Sequence, residues 1–270
     1  MIPRVLVIAG SDSGGGAGIQ ADIKTVTMLG GHATTAVTAL TAQNTLGVSA
    51  VMAVPTDMVL AQIDAVLSDI GTDAVKIGMI GSAETAEAVA GRLDGLDVPI
   101  VFDPVMVATS GATLADARTI AAFERLMALA SVVTPNLPEL AALGGAAAVL
   151  ASGSLVAEKG GHAEGAVIVD RLLGPAGEIA RVEGPRIVTR HSHGTGCTFA
   201  SALATGLAAG LPVAQAFRRA VRFTRIAIRS APGLGGGHGP IGHALGVVPF
   251  DAIAGEDAPA SAAAAAPGTA

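Results

Sequence analysis

The sequence predicts an α/β protein, a single doubly wound domain with a mostly parallel central sheet flanked by helices on both faces. Short apolar segments alternate with longer segments in which apolar residues recur at helical spacing, the pattern of repeated strand–helix units. Glycine or polar residues follow several predicted strands, at Gly10, Gln43, Gly78, Asp103 and Asn136, and carboxyl ends of parallel strands meet at one edge. A length of 270 residues, 51% of them hydrophobic, is enough to bury one large core.

The N-terminal half begins with an apolar strand at residues 4–9, which runs into a loop of Gly, Ser and Asp at residues 10–18. Apolar residues then recur at helical spacing from Ile19 to Leu29, where two glycines end the predicted helix. Further helices are predicted at residues 57–70 and 82–93, the latter with Ser82 as its N-cap. The other strands are predicted at residues 33–40, 48–54, 74–77 and 100–102.

The C-terminal half continues the alternation, with helices predicted at residues 116–129, 138–143, 198–210 and 213–230 and a short strand at residues 132–133. Residues 144–157 are expected to form a helix and a strand, and residues 166–173 and 178–182 a hairpin. No repeat or linker divides the chain, so one domain is predicted over residues 1–250. Residues 251–270 are rich in Ala, Pro and Gly and are predicted to be disordered.

The composition argues against nucleic acids and membranes as partners. A net charge of −6 does not suit a nucleic-acid-binding face, and the absence of Trp and Tyr leaves few rings to stack on bases. No apolar stretch reaches membrane-spanning length without Gly, Pro or a charged residue. The single cysteine excludes an internal disulfide and suits a reducing compartment, so a cytoplasmic location is expected.

Several familiar motifs are absent or incomplete. The loop at residues 10–18 is not a Walker A motif, because no Gly-Lys-Ser/Thr follows at the required spacing. Residues 237–242 match Gly-x-Gly-x-x-Gly, but they include a proline and follow a helix, so the match is attributed to chance. The Gly-x-Ser-x-Gly and His-Glu-x-x-His motifs are missing. The pair His191 and His193 has no further metal ligands nearby in the sequence and is interpreted as structural.

The most informative loop comprises Gly194, Thr195, Gly196 and Cys197 and directly precedes a long helix of small residues. Glycines allow consecutive N–H groups to face one point, and the helix N-terminus adds positive potential, which suits a transferring phosphoryl group. A cysteine at a helix start is expected to have a lowered pKa, which would let Cys197 accept a proton or act as a nucleophile. A buried structural cysteine beside a tight turn fits the same spacing, which leaves both interpretations open.

Six segments carry a family resemblance, at residues 8–24, 38–45, 76–79, 134–139, 159–162 and 193–198. The fourth reads Thr-Pro-Asn-Leu-Pro-Glu and the last His-Gly-Thr-Gly-Cys-Thr. In sequence and order they resemble the hydroxymethylpyrimidine/phosphomethylpyrimidine kinases of thiamine biosynthesis, a branch of the ribokinase superfamily. The resemblance covers residues 4–243. It implies a ribokinase-like fold and an ATP-dependent kinase that phosphorylates 4-amino-5-hydroxymethyl-2-methylpyrimidine and then its monophosphate.

For the substrate pocket, the resemblance implies that Gln43 hydrogen-bonds the aminopyrimidine, because an amide is both donor and acceptor. Four further residues would shape the pocket: Ala17, Asp22, Met79 and Val105. Plain core packing would also account for Met79, and a favourable charge in the first turn of a helix would account for Asp22. Cys197 stands where most of the superfamily has an aspartate. The resemblance makes it the acceptor of the substrate hydroxyl proton, within an anion hole formed by Gly194, Thr195 and Gly196.

For the nucleotide, the resemblance implies that Lys159 neutralises the ATP phosphates as a flexible point charge and that Asp103 lies near them. Glu139, with Asn136, would organise the Mg²⁺ of MgATP through water. A solvated position in a first helical turn would also account for Glu139, and a strand-end turn before Pro104 for Asp103.

The chain departs from the family in places, and two alternatives stay open. It is shorter between Glu139 and Lys159, where a trimmed helix is expected, and residues 235–239 lack a lysine that the family often has there. A pyridoxal/pyridoxine kinase shares the superfamily and much of the pocket. A non-catalytic pyrimidine-binding protein could use the same fold. The resemblance also implies a homodimer, in which the apolar segment at residues 33–54 would cover the partner's site.

Overall fold

The computed structural model describes residues 1–108 and 111–247. Its strands are β1 (Arg4–Asp12), β2 (His32–Gln43), β3 (Val48–Ala53), β4 (Ala74–Ile77), β5 (Ile100–Phe102), β6 (Val132–Val133), β7 (Leu155–Glu158), β8 (Val167–Gly174) and β9 (Gly177–Pro185). Its α-helices are α1 (Gly18–Met28), α2 (Thr56–Asp69), α3 (Ala83–Leu93), α4 (Ala117–Leu129), α5 (Leu137–Ala142), α6 (Ala146–Ala151), α7 (Thr195–Ala208) and α8 (Val213–Arg229). The predicted tail at residues 251–270 lies outside the described residues.

The strands form one sheet in the order β3-β2-β1-β4-β5-β6-β7-β8-β9. The strands from β2 to β7 in this order pair in parallel, whereas β3, β8 and β9 pair antiparallel to their neighbours. The chain forms β2 on one side of β1 and later β4 on the other side, so the strand order switches direction at β1. Sheets of this kind bind ligands beyond the carboxyl ends of the strands next to such a switch.

Two hydrophobic cores cover the two faces of the sheet. Alternate residues of β1 point to opposite faces, so Leu6 and Ile8 pack in the core of α2, α3 and α4, whereas Val5 and Val7 pack in that of α1, α7 and α8. Each core contains an edge-to-face aromatic pair, with ring centroids 5.1 Å apart for Phe102–Phe123 and 5.9 Å apart for Phe199–Phe217. The predicted fold class is therefore confirmed, with helices on both faces of the sheet.

The structure refines several predicted boundaries. Strand β1 continues to Asp12 instead of ending at residue 9, because Ser11 and Asp12 still pair with the long strand β2. The shortened segment between Glu139 and Lys159 keeps both α6 and β7, and β7 pairs in parallel with β6. Nowhere in residues 1–108 and 111–247 is there a helix with the length and apolar character to cross a membrane.

Candidate active site

The carboxyl ends of the parallel strands bring together the polar residues that the sequence predicted at one edge. At the end of β2, Gln43 Nε2 lies 3.1 Å from Nε2 of His193 in the loop before α7. After β5, Asp103 Oδ1 accepts a hydrogen bond of 2.7 Å from Lys159 Nζ, which follows β7. The backbones of Asn136 and Lys159 pair in an isolated parallel bridge. The site therefore extends from β2 to β7 along one edge of the sheet.

Asp12 organises the first glycine loop. Its Oδ2 accepts the backbone N–H groups of Gly16 at 2.9 Å and Ala17 at 2.8 Å, and its Oδ1 accepts that of Gly14 at 2.8 Å. Oδ2 also lies 2.9 Å from His193 Nε2. Burial opposes the charge of this carboxylate, but these hydrogen bonds outweigh burial and hold its pKa below the usual value. A buried carboxylate thus fixes the turn that leads into α1.

The two glycine loops interlock. Gly194 adopts a left-handed backbone with φ of 86°, and a Cβ at this position would collide with the carbonyl oxygen of Gly16. In turn, a Cβ at Gly16 would meet the ring of His193. Only glycine allows this approach, so the start of α7 is held against the start of α1.

Gln43 is held from two sides while part of its side chain stays exposed. Thr41 Oγ1 lies 3.2 Å from its Oε1, and His193 contacts its Nε2. The other predicted pocket residues Ala17, Met79 and Val105 are half-buried near the ends of their elements. Met79 packs under the first loop, where a Cβ at Gly10 would lie 3.1 Å from its Sδ. The structure thus gathers these residues around the switch point, and their contact with substrate stays a prediction.

Asp22 differs from the other predicted pocket residues because its side chain is sealed inside the protein. Its Oδ2 forms an ion pair of 2.9 Å with Lys76 Nζ, and both side chains are 0% exposed. Its Oδ1 accepts a hydrogen bond of 2.6 Å from Ser201 Oγ on α7. The carboxylate therefore faces the interior, between α1, β4 and α7, and not the surface of the pocket.

The expected lowering of the Cys197 pKa is wrong. Burial raises the pKa of this thiol to about 11, and the carboxylates of Asp22 and Asp103 raise it further. Lys76 and the backbone N–H of Gly18 act in the opposite direction without compensating. Loss of hydration at this position thus outweighs the helix start from which the lower pKa was predicted. With this pKa the thiol is protonated at neutral pH, and the residue keeps part of its surface exposed.

A second lysine–aspartate pair, Lys159 and Asp103, lies beside the loop at Gly196. Asp103 Oδ1 accepts hydrogen bonds from Lys159 Nζ at 2.7 Å and from Thr134 Oγ1 at 3.0 Å. Burial opposes the charge of Lys159, but Asp103 and Glu139 hold its pKa above the usual value. A Cβ at Gly196 would lie 3.3 Å from Lys159 Nζ and 3.4 Å from Asp103 Oδ2. The glycine therefore leaves open the space between the loop and this pair.

Glu139 and Asn136 form the capping box at the start of α5. The Asn136 N–H donates to Glu139 Oε2 at 2.8 Å, and the Glu139 N–H donates to Asn136 Oδ1 at 2.9 Å. Burial raises the pKa of the Glu139 carboxyl, Lys159 lowers it and Asp103 raises it. The cap explains the position of Glu139 without a ligand, but it occupies only one of the two carboxylate oxygens.

The residues at this end fit a magnesium ion that arrives with a nucleotide. Carboxylate oxygens are the donors that Mg²⁺ prefers, and Asp103 lies close enough to Glu139 to raise the pKa of its carboxyl. Among the described residues, no three His, Cys, Asp or Glu side chains form a cluster suited to a metal ion. A Mg²⁺ bound here would therefore need ligands from phosphate and water, as is usual for this ion.

This geometry can be compared with known proteins. The family model described as phosphomethylpyrimidine kinase matches residues 12–242. The chain belongs to this family. A hydroxymethylpyrimidine/phosphomethylpyrimidine kinase from Streptomyces coelicolor is 48% identical over 255 residues, which cover 89% of this chain and 94% of the relative. The thiamine biosynthesis bifunctional protein ThiED of Geobacter sulfurreducens is 50% identical over 256 residues, 89% of this chain, and this chain spans only about half of it (52%).

Solved structures give the same fold. A pyridoxal kinase from Bacillus subtilis, in an ADP complex, has a TM-score of 0.83 at 32% identity and covers 91% of this chain and 98% of its own. A phosphomethylpyrimidine kinase from Clostridium difficile has a TM-score of 0.71 at 34% identity and covers 84% of this chain and 100% of its own. The ribokinase-like architecture is therefore shared with kinases of two vitamin-related substrates.

Sequence reasoning assigned no role to Asp12 or Lys76. Lys76 had a clear signal, because it is one of three lysines in the chain and the one charge in the four-residue strand β4. An apolar strand rarely includes a lysine unless the ammonium has a buried partner. Asp12 had a weaker signal, a carboxylate directly before a run of small residues whose N–H groups need an acceptor.

Proposed function

We propose that the protein is an ATP-dependent kinase of 4-amino-5-hydroxymethyl-2-methylpyrimidine and of its monophosphate, acting in thiamine biosynthesis. The observation that carries the proposal is the position of the loop from Gly194 to Cys197. It lies between Gln43, an amide suited to an aminopyrimidine edge, and Lys159, a cation suited to phosphates. Family membership and the named relatives support the same reaction.

Phosphoryl transfer depends mainly on positioning and on neutralisation of charge. Backbone N–H groups at the start of α7 and the ammonium of Lys159 would stabilise the transferring phosphoryl group. Mg²⁺, held by Glu139 with water and phosphate, would neutralise charge on the ATP phosphates. Cys197 Sγ would take the proton of the hydroxymethyl group in the first reaction. In the second reaction the acceptor phosphate is already ionised, so Cys197 has less to do.

The leading alternative is a pyridoxal kinase, favoured by one observation. Pyridoxal kinase structures from Bacillus subtilis and Staphylococcus aureus have TM-scores of 0.82 to 0.83, above the 0.71 of the phosphomethylpyrimidine kinase structure. Sequence identity does not follow this order, since the phosphomethylpyrimidine kinase structure is 34% identical and the Bacillus pyridoxal kinase 32%, and the Streptomyces pyrimidine kinase is 48% identical. Substrate specificity depends on side chains, whereas the TM-score compares only the backbone. Sequence identity is therefore the better guide to the substrate, and it favours the pyrimidine.

A coupled ADP-release assay decides between these functions. The purified protein with MgATP is given the hydroxymethylpyrimidine, its monophosphate and pyridoxal in parallel. The expected result is turnover of both pyrimidines with a larger kcat/KM than for pyridoxal. A preference for pyridoxal would replace the pyrimidine assignment, and the absence of ADP with every pyrimidine would favour a non-catalytic binding protein.

A homodimer and a cytoplasmic location are further parts of the proposal. The edge formed by β2 and β3 exposes the apolar side chains of Leu40, Val51 and Met52, at 43%, 49% and 60%. An apolar patch of this kind suits a second copy of the chain. Light scattering after gel filtration would give twice the monomer mass of 26.3 kDa if the proposal is correct. The cytoplasmic location rests on the single cysteine alone.

A further inference from the structure

Lys76 is a charged side chain in a place where an apolar one would pack. It belongs to β4, whose residues are all buried, and its side chain is 0% exposed. A Cβ at Gly78 would lie 2.7 Å from Lys76 Nζ, so the ammonium lies directly under the backbone that follows the strand. An ion pair in this position adds little stability over two well-packed apolar residues, because burial of two charges costs almost as much as their attraction provides.

The ion pair lies beside the thiol of Cys197. Ser201, which donates to Asp22, follows Cys197 by four residues on α7, so both side chains face the same side of that helix. Gly18 is the first residue of α1 and its backbone N–H lowers the pKa of the Cys197 thiol, and Asp22 lies one turn further along α1. The thiol and the ion pair therefore occupy one pocket between α1, β4 and α7.

Four charged groups lie near enough to Cys197 to interact electrostatically with its thiol. Lys76 and Asp22 approach from β4 and α1, and Asp103 and Lys159 approach from the ends of β5 and β7. The second pair is partly open to the site, where phosphates would change its balance. The first pair has no exposed surface, so solvent and salt cannot screen it. Its charges therefore act on the thiol without screening, although burial raises the pKa of the Asp22 carboxyl.

We propose that Lys76 and Asp22 are positioning residues that set the charge state of Cys197. Lys76 is the buried cation that stabilises the thiolate, and Asp22 is the anion that opposes this stabilisation. This inference deepens the proposed function and rests on it for its catalytic meaning. The first phosphorylation uses the minor thiolate form of Cys197: the hydroxyl O–H bond breaks and an S–H bond forms on the thiolate sulfur. The oxygen keeps the electron pair and forms the new O–P bond, while the bond between the γ-phosphorus and the bridging oxygen of ATP breaks.

The two members of the pair should act on the thiol in opposite directions. Asp22→Asn keeps the shape of the side chain but removes the competing anion, so a thiolate becomes the available counterion of Lys76. Lys76→Met removes the cation at similar volume, so the thiolate loses its partner. A role limited to packing would loosen the site in both variants and move the thiol the same way in both.

Alkylation by iodoacetamide reads the thiol directly, because Cys197 is the one cysteine of the chain and is half-exposed. Rates are measured from pH 7 to pH 11 on the full-length wild type, Asp22→Asn, Lys76→Met and the control Ser201→Ala. Ser201→Ala removes a hydrogen bond to Asp22 but leaves both charges. At pH 8 we expect Asp22→Asn to react at least about tenfold faster than wild type, from a pKa lowered by roughly one unit, and Lys76→Met at least about threefold slower. Ser201→Ala should stay within about twofold.

Local unfolding cannot imitate this result, since an unfolded thiol has a pKa of about 8.5 and would react faster in both variants. Rates that change in the same direction in both variants, or in neither, overturn the proposal. If Lys76→Met does not fold, the pH profile of Asp22→Asn decides: an apparent pKa equal to that of wild type, or one that falls to the value of about 8.5 of an unfolded thiol, overturns the proposal. Alkylation requires no turnover. If the alkylation rates shift in opposite directions but the protein has no pyrimidine kinase activity, the missing activity refutes the proposed function and the inference about Cys197 stands.

Discussion

Two lysine–aspartate pairs lie on either side of the Gly194–Cys197 loop, and they differ in their access to solvent. In the Lys76–Asp22 pair both side chains are 0% exposed, whereas in the Lys159–Asp103 pair the lysine is 17% exposed and the aspartate 2%. The distances are similar, at 2.9 Å and 2.7 Å. Chemically alike pairs are thus placed in two environments, one inside the fold and one at the border of the site.

The difference in exposure predicts different roles for the two ion pairs. A sealed pair cannot contact a ligand, so its charges act on the protein and on the group beside it, Cys197. A pair at the border can exchange partners, so under the proposed function Lys159 would leave Asp103 for a phosphate of ATP. The sealed pair should therefore matter most for stability and for the thiol, and the open pair for turnover.

The largest difference between the pairs is expected in stability. Lys76→Met leaves Asp22 buried without its counterion, which costs about 3–5 kcal/mol of unfolding free energy. Lys159→Met leaves Asp103 with the hydrogen bond from Thr134 and removes a lysine that is 17% exposed, so a smaller loss is expected. Urea denaturation of both variants measures the difference. Equal losses would show that exposure does not distinguish the two pairs.

For turnover, the substitution in the Lys159–Asp103 pair should have the larger effect. Lys159→Ala removes the cation beside the transferring phosphoryl group, and loss of one such group lowers kcat by about 10²–10³. Both phosphorylation steps should lose the same factor, because both use the same ATP site. The ADP-release assay with each pyrimidine measures this loss. Arg125→Ala is the control, because Arg125 forms an exposed ion pair with Glu87 far from the loop. A loss confined to one acceptor would indicate that Lys159 contacts that acceptor and not ATP.

Cys197 lies between the pairs and should distinguish the two steps. Cys197→Ala removes the proton acceptor that the alcohol requires, so kcat/KM for the first step should fall by about 10² or more. The monophosphate is already ionised, so the second step should change much less. The second step thus serves as the internal control for folding and for ATP binding. Equal losses in both steps would refute the role of Cys197 as a base.

The pH dependence tests the same assignment without a mutation. Burial raises the pKa of Cys197 to about 11, and a base acts in its deprotonated form. Between pH 7 and pH 10 the thiolate fraction therefore rises about tenfold per pH unit, and kcat/KM for the alcohol should rise with it. The profile for the monophosphate should stay flat over the same range. A flat profile for the alcohol would mean that Cys197 acts only by hydrogen bonding.

The sequence predicts the frame of this molecule better than the direction of its side chains. Strands β4, β5 and β6 have their predicted bounds, because short apolar runs between glycine, proline and polar residues leave few other solutions. The polar strand ends converge as expected, since parallel strands share an edge. These features follow from local pattern and from the geometry of a parallel sheet.

The fate of single side chains depends on contacts that no local pattern shows. Asp22 was expected in the substrate pocket, but it pairs with Lys76, which lies 54 residues away, and with Ser201, which lies 179 residues away. The lowered pKa expected for Cys197 follows from its helix start, whereas the observed rise follows from burial by neighbouring elements. Both differences arise where distant segments pack together, so the charges at this site are decided by tertiary structure.

The smallest expected effect concerns Glu139, whose position is explained both by a helix cap and by a metal site. Glu139→Gln keeps an oxygen that can accept the Asn136 N–H, so the capping box and the stability should persist. The substitution removes the negative charge beside Lys159, and the Mg²⁺ concentration for half-maximal rate should rise roughly tenfold. A Mg²⁺ titration at fixed ATP measures this, with thermal denaturation as the control for the cap. An unchanged Mg²⁺ requirement would show that Glu139 serves only as a helix cap. Asp103 would then be the acidic residue expected nearest to the phosphates.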